Sequence, residues 1–496
     1  MNNTLWTLVV LQIAMGGFDT LYHHELTEHL AWRPSQTTEL RLHGVRNLVY
    51  AVIFLTLGWF EPRGAAAAAL IALLVAELVV TLWDFVEEDR TRLLPATERI
   101  THALLTLNYG IVLALLVPVL VRWSTQATAI APTNHGVWSW LCSIAATGVA
   151  ASGLRDLVAA RRMPWIGPGD PRPLARALKG RQAILVTGGT GFIGSRLVSA
   201  LVAAGHDVTV LTRSHSHAAE LPAPLRVITS LDQIADEQRI DAIVNLAGEP
   251  ISDGLWTARK RLRILRSRLR LTRELVRLIG RLRETPRVLV SGSAIGWYGL
   301  RGDETLDEGA DGSEGGTGCF SHALCARWEQ AAMAATHLDV RVVCLRIGLV
   351  LAHEGGMLSR MLPPFELGLG GPFGTGRHWM SWIHRDDLVR LIVHALANPE
   401  LAGPVNGTAP MPVTNASFAT ALGRALARPA IIPVPAGPLR LALGAFADEL
   451  LLSGQRVTPR AALNSGFRFS YPEIDLALAA IVGSKGLGCD SPGAAK

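Results

Sequence analysis

Three glycines spaced three residues apart, Gly188, Gly191 and Gly194, form the segment of this chain best suited to ligand chemistry. An apolar run precedes them, and a helix-like stretch, residues 196–204, follows. In that setting the first glycine permits a tight turn, the second lets a diphosphate approach the backbone, and the third lets the helix pack on the strand. The free N–H groups of the helix N-terminus then bind the diphosphate of a dinucleotide. The residues predicted to line the diphosphate site are Gly188, Thr190, Gly191, Phe192, Ile193 and Gly194.

A second strand-like run, residues 208–212, ends at the position that contacts the adenosine ribose in dinucleotide-binding folds. Enzymes specific for NAD usually place a carboxylate there. This chain has Arg213 and Ser214 instead, and a guanidinium pairs well with a 2′-phosphate, so we predict NADP, with NAD as the open alternative. A solvated surface role for Arg213 also stays open. A later run ends in residues that let a cofactor lie against the backbone: Leu246, Ala247, Gly248 and Glu249.

These residues need a scaffold, and the chain from Gln182 onward alternates strand-like with helix-like runs. The predicted strands are residues 183–187, 208–212, 226–229, 242–246, 287–291 and 341–346. Such alternation predicts an α/β fold with a Rossmann-like, doubly wound parallel sheet. Because ligands bind at the carboxyl ends of the strands in these sheets, we expect the glycine turn and the residues after the later strands to converge.

The first 160 residues have a different character. Five apolar runs, each close to the ~20 residues that cross a bilayer, lie at residues 5–22, 45–60, 65–85, 100–121 and 137–158. Charged residues make up only 18% of the whole chain and mean hydropathy is +0.29, values that fit a protein with a membrane portion. We therefore predict an all-α region of five transmembrane helices, with a soluble helical domain as the alternative.

Arginines cluster after the first, third and fifth apolar runs. By the positive-inside rule, the N-terminus lies outside and the later half is cytoplasmic, at the inner (plasma) membrane. The cysteines lack metal-type spacing and fit a reducing compartment; they are Cys142, Cys319, Cys325, Cys344 and Cys489.

Ionisable residues recur one helical turn apart within the apolar half. The pairs are Asp19 and His23, His24 and Glu28, Asp84 and Glu88, and Glu98 and His102. In the predicted topology these positions reach the same side of the membrane, where imidazoles and carboxylates could bind iron, zinc or manganese. We treat His23, Glu98 and His102 as candidate metal ligands. The alternative is that these residues lie in hydrated interfacial turns and bind no metal.

One helix-like stretch, residues 259–283, carries eleven basic residues. Beside a membrane such a helix can dock on anionic lipid headgroups, and a merely solvated surface is the alternative. Aromatic residues between the basic ones and a nucleic-acid-binding motif are both missing, so we expect no nucleic-acid partner.

Several segments resemble one known superfamily. They are residues 187–194, 245–249, 291–299, 328–329, 367–372 and 379–388. They resemble extended short-chain dehydrogenase/reductases, and within them the NAD-dependent epimerase/dehydratase-like branch of "epimerase family proteins", which includes proteins labelled as cell-division inhibitors. The resemblance covers residues 182–485. It implies a Rossmann-like NAD(P) domain with a small C-terminal substrate lobe.

Together these patterns predict five segments. A transmembrane helical domain spans 1–160, a linker rich in proline and glycine 161–181, the NAD(P)-binding domain 182–414, the C-terminal lobe 415–485 and a tail 486–496.

The resemblance also implies a serine or threonine after the fifth strand and a Tyr-x-x-x-Lys helix whose lysine lowers the pKa of the tyrosine. Ser293 matches the first requirement. When the helix is aligned on Glu329, Ser321 takes the tyrosine position and Cys325 the lysine position. The resemblance therefore leaves the usual proton-transfer pair missing.

Three interpretations of the catalytic site stay open. Tyr298 replaces the missing acid, Cys325 or His322 acts at the vacated positions, or the site binds NADP without hydride chemistry. We predict a membrane-anchored NADP-binding oxidoreductase or epimerase-like protein that acts on a small or membrane-derived substrate. The alternatives are a nucleotide-sensing regulatory or scaffold protein, and a metal-dependent redox unit in the membrane half that is coupled to the NADPH domain.

Overall fold

Five long apolar helices make up most of the N-terminal part of the chain. They are α1 Asn3–Phe18, α2 Thr37–Trp59, α3 Ala65–Thr91, α4 Ala96–Ser124 and α5 Val137–Ile166. In the computed structural model, which describes residues 2–166, 169–213, 215–312 and 318–484, each helix lies in a segment long and apolar enough to cross a bilayer. The five apolar helices are therefore present, and their insertion in a membrane stays a prediction.

The connections between these helices carry polar residues. Helix α1 continues into a wider π-helical turn, Asp19–Thr27, which two short 3-10 turns, Leu30–Trp32 and Pro34–Gln36, connect to α2. At the far end of α2, strand β1 Phe60–Arg63 pairs antiparallel with β2 Ala129–Pro132. We refer to this part of the chain, Met1–Gly167, as the helical unit, and to Pro168–Lys496 as the sheet unit.

Small residues let α2 and α5 approach each other closely in the helical unit. Gly44 of α2 faces Gly153 of α5, and a Cβ added at Gly153 would lie 2.8 Å from the Gly44 carbonyl oxygen. Close backbone contact of this kind is how helices associate where lipid removes the hydrophobic driving force. An apolar interior that includes Trp6, Phe54 and Leu116 packs beside it.

The sheet unit contains the remaining strands. In chain order they are β3 Ala183–Thr187, β4 Asp207–Leu211, β5 Arg226–Ile228, β6 Ala242–Asn245, β7 Val288–Ala294, β8 Thr305–Leu306, β9 Arg341–Ile347, β10 Leu349–Leu351, β11 Trp379–Met380, β12 Trp382–His384, β13 Gly403–Gly407, β14 Val413–Thr414 and β15 Arg456–Val457. Seven of them form one parallel sheet in the order β5-β4-β3-β6-β7-β9-β13. The chain changes direction across the sheet between β3 and β6, and ligands bind at such a point.

Helices cover both faces of this sheet. They and the helices of the C-terminal segment are α6 Gly194–Ala203, α7 Ala258–Arg281, α8 Phe320–Met333, α9 Gly356–Glu366, α10 Arg385–Ala397, α11 Asn415–Leu426, α12 Ala436–Leu443, α13 Arg460–Asn464 and α14 Ile474–Val482. Successive strand residues point to opposite faces, so Val186 packs with Leu197 of α6 and Leu391 of α10, whereas Leu185 packs with Leu275 of α7. Burial on both faces explains why these strands are almost wholly apolar.

The predicted Rossmann-like parallel sheet is confirmed. All six predicted strands are present, with ends shifted by at most three residues. The seventh, β13, was missed because its sequence, Gly-Pro-Val-Asn-Gly, is neither apolar nor alternating. It lies at the edge of the sheet and, among the described residues, pairs with β9 alone, a position where proline is tolerated.

The predicted linker has more structure than its proline content suggests. Helix α5 continues through Pro164 to Ile166, so the helix extends past residue 161, where the linker was predicted to begin. Farther on, the turn Arg172–Ala175 brings Leu174 and Ala175 into the core beside the sheet. The apolar side chains of this stretch therefore anchor it to the sheet unit.

The C-terminal segment belongs to the same compact unit as the sheet. Asp387, at the start of α10, is wholly buried. Its two carboxylate oxygens accept hydrogen bonds from the N–H groups of Ser470 and Tyr471, at 2.9 and 2.8 Å. This charged anchor joins the chain leading into α14 to the sheet.

We expect Gly153→Leu to destabilise the helical unit by about 1–3 kcal/mol, because the new side chain has to displace the backbone of α2. Thermal unfolding of the full chain in detergent measures the loss. Gly148→Leu on the same helix is the matched control, since a Cβ there meets no atom within 4 Å. Equal effects of the two substitutions would contradict the close helix contact.

Candidate active site

The glycine turn after β3 has the geometry that a dinucleotide requires. Gly188 has φ +71°, a backbone conformation that favours glycine. A Cβ on Gly188 would lie 2.8 Å from the backbone nitrogen of Ala247, and one on Gly194 would overlap the Gly188 carbonyl oxygen. The first and third glycines are therefore required by close packing of the chain on itself.

The second glycine, Gly191, is exposed. Among the described residues, apart from its chain neighbours, the atom that a Cβ added there would meet within 4 Å is the Gly188 carbonyl oxygen, at 3.2 Å. Helix α6 begins beside it at Gly194, and its N-cap residue, Ile193, offers no side-chain cap. The first-turn N–H groups of an uncapped helix attract anions, so this turn is suited to a diphosphate.

A buried hydrogen-bond network aligns the ends of β3 and β6 beside that turn. The Thr187 hydroxyl donates to the Asn245 side-chain oxygen at 2.8 Å and accepts from the Ala247 N–H at 3.3 Å. The Leu246 N–H donates to the Thr187 carbonyl at 3.1 Å. The network places the backbone from Leu246 to Gly248, part of the predicted cofactor set, next to the glycine turn.

Positive charge gathers at the end of β4. Arg213 is exposed, while Ser214 lies outside the described residues. The hydrogen bond from Lys260 Nζ, at 2.8 Å, holds the pKa of Glu249 below its usual range, and the charges of Arg263 and Arg213 contribute. Glu249 is therefore an ionised member of a mainly basic group at this edge.

Arg268 of α7 places a buried guanidinium against the backbone of Gly248. A Cβ on Gly248 would lie 2.7 Å from the Arg268 Cζ, and Arg268 donates to the Glu249 carbonyl at 3.0 Å. Burial lowers the pKa of Arg268 to about 10. Among the described residues its Nε is buried and has no hydrogen-bond partner.

Ser293 is the second-to-last residue of strand β7, and an ion pair between residues of α8 and β9 holds its side chain. Its hydroxyl donates to Glu329 Oε1 at 2.7 Å. Arg346 of β9 donates hydrogen bonds to both carboxylate oxygens of Glu329, at 2.9 and 3.0 Å. Arg346 is only 3% exposed. The serine that the resemblance implies is thus oriented by a bidentate pair that sequence reasoning did not identify.

The hydroxyl of Tyr298 lies inside the protein. It donates to Asn406 Oδ1 at 2.8 Å and accepts from Arg346 at 3.1 Å. The side chain has no solvent exposure, and burial raises its pKa. These contacts make Tyr298 a positioning residue for Arg346.

The two positions vacated by the Tyr-x-x-x-Lys pair differ in character. Cys325 is buried, and burial raises the pKa of its thiol to about 11. Ser321, one turn earlier on α8, donates to Glu449 Oε2 at 2.7 Å. The same carboxylate accepts from the N–H groups of Phe320 and Ser321, so Glu449 caps α8 at the position of the missing tyrosine.

Two family models match the sheet unit. The NAD dependent epimerase/dehydratase family matches residues 184–406, and a domain of unknown function, DUF1731, matches residues 434–481. The chloroplastic "Epimerase family protein SDR39U1 homolog" of Arabidopsis thaliana is 42% identical over 311 residues, 61% of this chain and 87% of that protein. The chain belongs to this epimerase family.

Further members of the epimerase family are similar to the same part of this chain. The epimerase family protein SDR39U1 of Bos taurus is 40% identical over 302 residues, which cover 60% of this chain and 99% of that protein. The crystal structure of human SDR39U1 (isoform2) with NADPH superposes with a TM-score of 0.54 at 36% identity, covering 61% of this chain and 99% of that one. The residues matched by the two family models all lie in the sheet unit of this epimerase-family protein.

Of the three metal-ligand candidates in the helical unit, the structure brings two together. Glu98 and His102 have donor atoms close to those of His24 and Glu88. His23 lies apart from this group, because its Nδ1 bonds Asp19 at 2.8 Å and its Nε2 faces the Thr97 hydroxyl at 3.3 Å.

Sequence reasoning missed three functional candidates in this epimerase-family protein. Lys260 and Arg346 form ion pairs with Glu249 and Glu329, and Glu449 accepts a hydrogen bond from Ser321. Glu449 lies 128 residues from Ser321, and no local spacing could have connected them.

Proposed function

We propose that this epimerase-family protein is a membrane-anchored, NADP-dependent oxidoreductase or epimerase-like enzyme that acts on a small or membrane-derived substrate. The observation that carries the proposal is the open backbone at Gly191 in front of the uncapped first turn of α6. Peptide N–H groups in this arrangement bind diphosphates, and dinucleotide cofactors present one.

Two observations favour NADP over NAD. Arg213 is exposed at the end of β4, where a guanidinium can pair with a ribose 2′-phosphate through two hydrogen bonds. The structure of human SDR39U1, 36% identical to this chain, was determined with NADPH. Arg268 supplies a further cation beside Gly248.

When bound, NADP would supply or accept a hydride at a substrate carbon. The chain itself then has to hold the oxygen on that carbon and to move its proton. Ser293, fixed by Glu329 and Arg346, is placed to orient the oxygen. Ser321 lies one turn before Cys325, which contacts Ser293, on the same face of α8.

We assign the proton transfer to Glu449, acting through the Ser321 hydroxyl. A substrate alcohol that donates to Ser321 Oγ lets the Ser321 proton pass to the Glu449 carboxylate, and the reverse path protonates a substrate oxygen. Tyr298 and Cys325 are less suited to this role. The tyrosine hydroxyl is committed to Asn406 and Arg346, and burial keeps the thiol protonated.

The alternative function is nucleotide sensing without hydride chemistry. It is favoured by the loss of both residues of the Tyr-x-x-x-Lys pair, whose lysine position holds the buried Cys325. A second alternative, a metal-dependent redox unit in the membrane half, requires metal ligands there, and the side chains grouped around His24 and His102 are of the types that bind metals.

We expect the full chain to bind NADPH saturably in calorimetry and Gly191→Asp to weaken that binding about 100-fold or more. The reason is that a carboxylate facing the diphosphate costs several kcal/mol. Gly437→Asp is the matched control, because Gly437 is an exposed helical glycine with no atom within 4 Å of an added Cβ. Tighter binding of NADH than of NADPH would contradict the role given to Arg213.

We expect Glu449→Gln to lower kcat about 100-fold, a common contribution of one proton-transfer group, while NADPH affinity stays unchanged. The measurement is NADPH oxidation over a panel of carbonyl compounds that includes membrane lipids. Glu473→Gln, at an exposed carboxylate, controls for charge. If Glu449→Gln keeps full activity and Cys325→Ala loses it, the Cys325 thiol rather than Glu449 transfers the proton. If the native protein binds the nucleotide but turns over no substrate, nucleotide sensing is favoured.

We also expect the full chain to stay with membranes after alkaline carbonate extraction, because five apolar helices anchor it. A fluorescent protein fused after Lys496 should fluoresce, since the proposed topology leaves the sheet unit in the cytoplasm. Recovery of the chain in the soluble fraction would contradict the anchor, and a dark fusion in intact membranes would contradict the orientation.

A further inference from the structure

The helical unit buries a cluster of ionisable side chains that the proposed nucleotide chemistry does not use. It is contributed by the π-helical turn and by α2, α3 and α4. We call it the polar cluster; its members are Asp19, His23, His24, Glu39, His43, Arg46, Asp84, Glu88, Arg92, Glu98 and His102. Of its carboxylates, Glu39, Asp84 and Glu98 have no solvent exposure and Glu88 has 1%. A cluster buried to this degree needs complete internal pairing or a bound ion.

Four members converge as ligands would around one ion. His24, Glu88, Glu98 and His102 each offer a donor atom, and these four atoms lie within 4.8 Å of one another. Donors on opposite sides of a transition-metal ion, each about 2.1 Å from it, lie about 4.2 Å apart.

Individual distances within this group are too long for hydrogen bonds and suit shared coordination. His24 Nε2 lies 3.7 Å from Glu98 Oε1, and His102 Nδ1 lies 3.5 Å from Glu88 Oε2. Neighbouring donors around a tetrahedral ion are about 3.4 Å apart. These side chains face one another at the spacing that a metal ion between them would set.

Two of the donor atoms are unpartnered within the part of the chain that the structure describes. His24 Nε2 and Glu88 Oε2 are both buried and have no hydrogen-bond partner. His24 is 6% exposed and Glu88 1% exposed. Because buried polar atoms are nearly always satisfied, the lack of partners at these two atoms supports a ligand at this group.

The neighbouring residues provide the support that metal ligands usually have. Asp19 Oδ2 lies 3.2 Å from His102 Nε2 and so leaves Nδ1, the other ring nitrogen, facing Glu88. Arg92 donates to Glu98 at 2.7 Å and holds that carboxylate in the cluster. A carboxylate behind a histidine orients the ring and raises its basicity as a ligand.

The polar cluster is rich in carboxylates. Five of them, Asp19, Glu39, Asp84, Glu88 and Glu98, stand against two guanidiniums, Arg46 and Arg92, and Asp84 also lies 3.0 Å from His43 Nε2. A bound cation would add to the positive charge that faces these carboxylates.

We propose that His24, Glu88, Glu98 and His102 bind one divalent first-row transition-metal ion, of the class of Mn²⁺, Fe²⁺ and Zn²⁺. Two imidazoles with two carboxylates suit these ions, whereas Mg²⁺ and Ca²⁺ prefer oxygen ligands alone. Glu88 also belongs to an adjoining group with Glu39 and His43, which adds negative charge beside the ion. The site is independent of nucleotide binding in the sheet unit.

The test uses the full chain purified in detergent, stripped with a chelator and titrated with CoCl₂. We expect saturable visible absorption from cobalt bound to nitrogen and oxygen ligands, with one ion per chain by elemental analysis. His24→Ala and Glu98→Gln should each weaken binding by about tenfold or more. His23→Gln is the matched control, because His23 is the adjacent buried histidine and both its ring nitrogens face other residues.

The unfolding temperature, measured with and without ZnCl₂, tests metal binding even if a variant is less stable than the native chain. Bound metal stabilises the folded state by mass action, so ZnCl₂ should raise the unfolding temperature of the native chain and raise that of Glu98→Gln by less at the same concentration. Failure of the folded native chain to bind Co²⁺ or Zn²⁺ would overturn the proposal. Equal affinity of the native chain and His24→Ala would do the same.

Discussion

The sheet unit depends on one close approach of backbone to backbone, where the turn after β3 meets the end of β6. Gly188 lies against Ala247, and Gly194 lies against Gly188, at distances that leave no room for a Cβ. Because of this contact, α6 starts directly above the sheet with its N-terminus uncapped beside the open Gly191. The position of α6, the alignment of β3 with β6 and the space for a diphosphate all follow from it.

Both units contain buried charged side chains, and the two groups differ in how completely their charges are paired. In the sheet unit Arg346 meets Glu329 through two hydrogen bonds, with Ser293 and Tyr298 attached to the pair, so the charges are matched. In the polar cluster of the helical unit, five carboxylates stand against two guanidiniums, and four buried polar atoms have no hydrogen-bond partner among the described residues. The paired charges around Arg346 hold Ser293 in place, whereas the incompletely paired cluster is where we propose a bound ion.

Much of the fold could be predicted because its causes are local. An apolar run followed by glycines at fixed spacing specifies strand, turn and helix, and the alternation of such units specifies a parallel sheet. Strand β13 could not be predicted, because the pairing with β9 at the edge of the sheet, rather than its own composition, makes it a strand. Leu174 and Ala175 were placed in the linker because their own sequence gives no sign of burial. They become buried only by packing against the folded sheet.

The sequence alone determined the dinucleotide turn, the parallel sheet and the five apolar helices, because each depends on residues within about one helix or strand of one another. Only the tertiary structure decided which polar groups meet. Glu449 reaches Ser321 across 128 positions, and His24 meets Glu98 and His102 on a different helix. The physical reason is that side-chain chemistry at a site depends on distances of a few ångströms, and packing of distant segments sets those distances.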